Sequence, residues 1–395
     1  MVARMRIASG DLFPTDRPIP ASQMIGRRED VRELATALEQ GTNIVVAGPR
    51  RTGKTSVCEA ALTRSKGRGF YVAAVDLFRL ADAAELAEAL ASAVLENRSG
   101  VRRALARARQ MGRSALTAAQ MSAVLTLKDQ LGDGVELALT PGLAQRDPEG
   151  ALAAALELPE RIAQADGRRM IVFFDEFQEV AGDRRPYGDL DAVTKRMRAI
   201  FQRSDHVSQL FAGSLEHVMR NLFAPTRRAL SGYGTFKALR PIGPDEWLAG
   251  LAERFQEDGC EAAPGALERL VELGEGHPRV TMLVAQQTHL ASVLLDTRRI
   301  ELSTVELGYR AALDGDEAAL EETVGRIRSL HKRALLMARR VATGAQLHSG
   351  LRSGEGDRAL KALQAAGIVE HEERGRWRIV NPLLRRYLID SQPFG

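Results

Sequence analysis

Two cysteines in 395 residues, Cys58 and Cys260, are too few and too far apart in sequence to build a disulfide framework or a cysteine metal cluster. Both read as core thiols of a chain kept in a reducing compartment. Long apolar runs are missing too: stretches such as residues 170–174 fall far short of the ~20 residues that a membrane-spanning helix needs. The opening MVARMRIASGDLFPTDRP has several basic residues but no continuous apolar segment of the secretory kind. These absences predict a cytoplasmic protein with no membrane partner. Internal repeats and low-complexity tracts are absent as well. What remains is an ordinary globular composition, 45% apolar and 27% charged, in a chain long enough for two or three domains.

Charge is unevenly placed. The net value is only +4, yet residues 325–395 hold 14 Lys/Arg against 6 Asp/Glu, while residues 1–324 hold 41 against 45. A basic module behind a mildly acidic one suits nucleic acid, and equally suits solubility or an acidic protein partner.

Along the chain, Pro14, Pro18 and Pro20 predict an extended lead-in over residues 1–24. The segment GRREDVRELATALEQG then has the acidic start and apolar spacing (Val31, Leu34, Leu38) of an amphipathic helix. Five strand-like runs follow at NIVVAG, GFYVAAVDLF, RRMIVFFDEF, VSQLFAGS and TFKALRP, alternating with helices near 54–64, 83–95, 149–165 and 190–202. Strand and helix in alternation predict an α/β fold around a parallel sheet covered on both faces. Residues 98–148 break the pattern and read as an insertion. After Pro241 no sheet pattern returns; helices are expected at 245–257, 266–273, 280–295 and 303–310, with more from about 317. The last segment, DRALKALQAAGIVEHEERGRWRIVNPLLRRYL, reads as helix, strand, turn, strand and helix. The expected domains are a core at 25–241, a helical lid at 242–315 and a helix-plus-hairpin module at 316–395.

The chemistry starts at NIVVAGPRRTGKT, an apolar strand that stops at a loop holding Arg50, Arg51 and Lys54. Cations that close together need an anion. Gly48 to Thr55 fits G-x-x-x-x-G-K-[ST] between a strand and a helix, the P-loop arrangement. Arg50, Arg51, Thr52, Gly53, Lys54 and Thr55 then present backbone N–H groups and a helix N-terminus to phosphate oxygens, in a nucleotide-binding loop that Gly48, Pro49 and Ser56 complete. Lys54 would reach the outer phosphates, and the Thr55 hydroxyl would ligate Mg²⁺ beside ATP. IVFFDEF delivers Asp175 and Glu176 at the end of a buried strand, where ligands of open α/β sheets bind. Asp175 fits the metal shell and Glu176 the polarisation of attacking water. Ser214 ends a later strand and suits either contact with the γ-phosphate or capping of the next helix. Arg227 and Arg228 suit either a phosphoryl transition state or solvent, and His277 and Arg279 in GEGHPR open a helix from which a cation could reach nucleotide.

Taken together, GPRRTGKT, FFDEFQ, GRRED, FAGS, GHPR and the terminal GIV…WRIVNPLLRRYL resemble the archaeal-type ATPases of the AAA+ superfamily, relatives of the origin-recognition and STAND ATPases. That resemblance, over roughly residues 22–390, implies a P-loop NTPase core with a five-stranded parallel sheet, a helical lid and a C-terminal winged helix. It implies that Ile25 and Arg27 lie near the adenine, that Ser214 is the first sensor and Arg279 the second. One departure concerns the Gly-Arg pair that such proteins often carry before the last strand: this chain has Gly232, Tyr233 and Gly234 there, which leaves Arg227 or Arg228 as substitutes. In a winged helix, Arg358, Lys361, Arg374, Arg376 and Arg378 could align on double-stranded DNA while Trp377 packs inward. Glu370, Glu372 and Glu373 on the same hairpin would repel phosphate. The leading expectation is a Mg²⁺-dependent ATPase switch coupled to DNA; the rival is a STAND-like regulator with slow hydrolysis whose module docks a protein partner or a second copy.

Overall fold

The computed structural model describes residues 6–98, 144–181, 190–223, 228–352, 354–372 and 376–391. Over these residues the chain divides into two compact units. A sheet unit takes Asp30–Gly48 and Val57–Leu239, and a helical unit takes Met1–Glu29, Pro49–Ser56 and Arg240–Gly395. Helices and strands are numbered here in chain order over the described residues, beginning with the short helix α1 (Ser9–Leu12).

In the sheet unit, α2 (Arg28–Glu39) leads to β1 (Ile44–Ala47), α3 (Lys54–Gly67), β2 (Tyr71–Asp76), α4 (Ala83–Leu95), α5 (Pro148–Asp166), β3 (Met170–Asp175), α6 (Leu190–Phe201), β4 (Val207–Gly213), α7 (Glu216–Phe223) and β5 (Thr235–Phe236). The strands form one five-stranded sheet in the order β2-β3-β4-β1-β5, parallel at every pairing. All seven residues of β4 and the first five of β3 are buried, the consequence of unbroken apolar runs that are covered on both faces. Phe174, Phe177, Phe211 and Phe223 interlock in the core, with Phe174 stacked on Phe211 at 5.5 Å. α4 occupies the expected span, and α5 ends where Gly167 turns left-handed (φ 59°). The five expected strands are all present. The insertion expected at 98–148 lies largely outside the described residues.

The helical unit contains α8 (Pro244–Glu257), α9 (Ala266–Gly274), α10 (Pro278–Leu294), α11 (Leu302–Leu330), α12 (Ala334–Thr343), α13 (Glu355–Ala365) and α14 (Pro382–Asp390). The antiparallel hairpin of β8 (Val369–Glu372) and β9 (Arg376–Ile379) appears where helix, strand, turn and strand were expected. Three features differ from the sequence reading. Two short parallel strands, β6 (Glu261–Ala262) and β7 (Arg299–Ile300), pair after Pro241, too brief to leave an alternating pattern. The helix expected at 303–310 runs on as one helix to Leu330, because Gly308 packs against α10 instead of ending a turn: a Cβ there would stand 2.5 Å from the Thr288 backbone nitrogen. Gly315 faces open space, where a glycine costs a helix only about 1 kcal/mol.

The third difference is the N-terminal segment, which is anchored rather than merely extended. Phe13 is fully buried against Phe255, and Arg254 donates to the carbonyls of Leu12 and Gln23. Arg6 reaches into a buried group made of Asp258, Cys260 and His289, donating to Asp258 (2.8 Å) and to the Cys260 sulfur (3.0 Å). Burial would raise the Asp258 pKa, but the Ile7 N–H, Arg6 and His289 hold it at about 2. The Arg6 guanidinium thus offsets the charge of the buried Asp258 carboxylate. Cys58 and Cys260 are both buried, as expected of core thiols.

Candidate functional site

In the sheet unit the ends of β3 and β4 carry the carboxylates and the serine. Register pairs Ala47 of β1 with Gly213 of β4, and the Gly48 N–H donates to the Gly213 carbonyl at 3.3 Å, so the loop leaves the sheet beside Ser214. The Ser214 hydroxyl donates to Glu176 Oε2 at 2.8 Å and is 3.2 Å from Gln178 Nε2. This contact with Glu176 is neither of the two uses expected of Ser214 from the sequence. Gln178, 3% exposed, donates its Nε2 to the same Glu176 oxygen and accepts the Ser214 N–H on Oε1 at 3.0 Å. One buried amide thus ties the tips of two strands together. The tight fit explains Gly213, where a Cβ would meet Gln178 Oε1 at 2.7 Å.

Glu176 itself sits at φ 49°, a left-handed conformation that costs a non-glycine residue about 1 kcal/mol or more. Its N–H donates to Asp175 Oδ1 at 2.9 Å, which fixes the two carboxyls relative to each other. Glu59 on α3 lies within electrostatic reach of Asp175: partial desolvation and that carboxylate raise its pKa.

In the helical unit the loop Pro49–Ser56 turns through left-handed backbone. Gly53 takes φ 85° and Arg51 φ 67°. Thr52 Oγ1 donates to the Pro49 carbonyl (2.9 Å), and Lys54 Nζ to the same oxygen (2.5 Å). Lys54, 7% exposed, therefore lies back across the loop. Arg27, 6% exposed, donates to the carbonyls of Arg240 and Thr52 (3.3 Å to the latter), which ties the GRRED box to the loop. Ile25 packs on α8 at Gly250, where a Cβ would stand 2.7 Å away. Ser56 Oγ accepts the Ile19 N–H at 3.1 Å.

His277 caps α10 by accepting the Val280 N–H, and its pKa is pushed down to about 4 by desolvation and then by Arg279. Arg279 makes a two-pronged ion pair with Asp316 of α11, at 2.6 and 2.9 Å. Partial desolvation and Arg279 lower the Arg51 pKa, so this pair stands beside the loop. Gln178 and Asp316 have no place in the sequence reading. Gln178 stands in the quoted FFDEFQ with no role assigned, and Asp316 carries no local signal at all.

The remaining expected residues are peripheral or outside the described set. Arg228 is exposed after α7 in the sheet unit, while Arg227 and Arg374 lie outside the described residues. Arg358 and Lys361 are exposed on α13. Arg376 and Arg378 are exposed on β9, but Arg378 pairs with Glu370 directly across the hairpin, and Arg376 stands opposite Glu372 in register. Trp377 turns inward against His371, at 5.0 Å and edge-on.

A glycine-rich loop between strand and helix, with an acidic couplet and a polar strand tip on neighbouring parallel strands, defines a P-loop nucleotide-binding α/β protein. Residues 23–204 match the family described as an AAA ATPase domain, in line with the resemblance that the quoted motifs carry. Among solved structures, a Walker-type ATPase of Pyrococcus abyssi superposes with a TM-score of 0.69 at 17% identity, covering 95% of this chain and 99% of that one. The ORC2 protein of Aeropyrum pernix, solved in ADPNP–ADP complexes, gives 0.54 at 16% identity, covering 96% and 95%. Identities this low bear on the fold. None of the curated proteins matches the chain.

Proposed function

We propose that the protein is a Mg²⁺-dependent ATPase that works as a nucleotide-driven switch. The observation that carries this reading is the Ser214–Gln178–Glu176 network at the strand tips, which orients a carboxylate that a purely structural turn would leave to solvent. ATP would be held in the loop of residues 48–56 by the N–H groups of residues 50–55, with Lys54 on its outer phosphates. The residues suit magnesium, a hard cation that prefers oxygen donors: the Thr55 hydroxyl and the Asp175 carboxylate would hold it. When bound, the ion offsets charge on the phosphate oxygens. Glu176 would take a proton from attacking water, with Ser214 fixing its oxygen. Ile25 and Arg27 would border the base, and His277 and Arg279 would face the phosphates from α10. Arg228, or Arg227, is the residual candidate for an arginine donated to the transition state.

For the C-terminal module, read as a winged helix at 316–395 behind a lid at 242–315 and a core at 25–241, the leading partner is double-stranded DNA, contacted through Arg358, Lys361, Arg374, Arg376 and Arg378. The Arg378–Glu370 pair favours the second reading, a STAND-like regulator whose module docks protein, because it neutralises charge on the hairpin. ATP turnover and nucleotide binding of the wild type beside Lys54→Ala and Glu176→Gln test the engine. Lys54→Ala should lose binding, whereas Glu176→Gln should keep it and lose turnover by about 10²- to 10⁴-fold. Equal activity in all three proteins would refute the site. DNA stimulation of turnover separates the two partner readings.

A further inference from the structure

Asp316 sits midway along α11, far in sequence from every motif, and yet it holds the guanidinium of Arg279. The geometry is an end-on fork: Nη1 to one carboxylate oxygen at 2.6 Å and Nη2 to the other at 2.9 Å, with both side chains 13% exposed. Two parallel charge-assisted hydrogen bonds of this kind are among the strongest contacts an arginine makes, and a phosphoryl group asks for the same fork. Arg279 therefore cannot present that edge to both anions at once. The pair also stands by the loop, since Arg51 is within electrostatic reach of both partners, of Arg50 and of Asp16. Asp316 is thus a carboxylate paired with one arginine and within electrostatic reach of a second, where a triphosphate would bring competing negative charge.

We propose that Asp316 is a positioning residue of the nucleotide site: it keeps Arg279 on α11 in the ligand-free protein and yields it to the terminal phosphate of a nucleoside triphosphate. This rests on the nucleotide reading above. A diphosphate lacks the group that competes for the fork, so the latch stays closed around it. Preference for triphosphate over diphosphate is then set by how readily the pair opens, since a site that is competent only part of the time binds more weakly in proportion to that fraction. The latch also reaches the C-terminal module. α11 packs against α12, α13 and α14, and Glu275, two residues before His277, pairs with Arg385 of α14 at 2.6 Å.

The test is titration of a non-hydrolysable ATP analogue and of ADP, both with Mg²⁺, into the full chain carrying Asp316→Asn, Asp316→Glu, Arg279→Ala or the Arg279→Ala/Asp316→Asn pair. Asp316→Asn should raise the ratio of triphosphate to diphosphate affinity about tenfold, through the triphosphate. Asp316→Glu should leave it within about threefold of wild type, and adding Asp316→Asn to Arg279→Ala should change nothing. Asp316→Ser carries the same expectation should the asparagine variant not fold. A ratio that stays put or falls in Asp316→Asn, or one that rises equally without Arg279, overturns the latch. Should the wild type bind nucleotide and Lys54→Ala lose it while the ratio is unmoved, only the latch fails. Should the wild type bind neither nucleotide, the nucleotide reading fails and takes the latch with it.

Discussion

Gln178 shows how much a single buried amide can decide. Its oxygen and nitrogen are spent on Ser214 and Glu176, so replacing it with leucine keeps the volume and removes the tether. Gln178→Leu should lower kcat about 10- to 100-fold while ATP affinity stays within about threefold, measured by steady-state turnover beside equilibrium binding. His277 makes a pH prediction. Its folded pKa of about 4 lies below the ordinary 6.5, so between those values the unfolded chain takes up the proton first and stability falls as the pH drops; below about 4 both states are protonated and the slope ends. His277→Asn keeps a capping side chain and loses the titration. Its urea midpoint should therefore fall less steeply from pH 7 to 4.5 than that of the wild type, with the buried His289, also lowered by desolvation, supplying a remaining slope in the same direction.

At the scale of elements, helix pairing outweighs local propensity. Gly308, Gly315 and Gly325 all lower helix propensity, yet α11 runs through them because packing against α10 contributes more than three glycines cost. A methyl at Gly308 would meet the Thr288 backbone, which cannot rotate away. Gly308→Ala should therefore destabilise the protein by about 2 kcal/mol in urea unfolding, whereas Gly315→Ala, with no neighbour within 4 Å, should be neutral or slightly stabilising. The strands show the opposite case: β1, β3 and β4 were legible because burial on both faces demands an unbroken apolar run. The same logic explains why β6 and β7, two residues each, left no trace.

For the whole molecule, the basic C-terminal segment poses the open choice of partner. If it grips DNA, binding should weaken steeply with salt, and Arg358→Ala with Lys361→Ala should reduce the slope of log K against log salt by about two, read from electrophoretic shifts over 50–200 mM salt. A slope that the double variant leaves unchanged would remove α13 from any such interface. Cross-strand pairing of Arg378 with Glu370 already subtracts charge that a count of residues 325–395 includes.

The sequence by itself determined the loop, the acidic couplet and the succession of strands and helices along the chain, because each rests on local rules: glycine where the backbone turns left-handed, apolar runs where a strand is covered twice, carboxylates where that strand ends. Tertiary structure decided where long side chains point. Arg279 carries a reach of several bonds, and only the packing of α10 on α11 set Asp316 against it. In the same way the Ser214 hydroxyl, read from sequence as a phosphate contact or a helix cap, meets Glu176 beside Gln178, which lies 36 residues away along the chain.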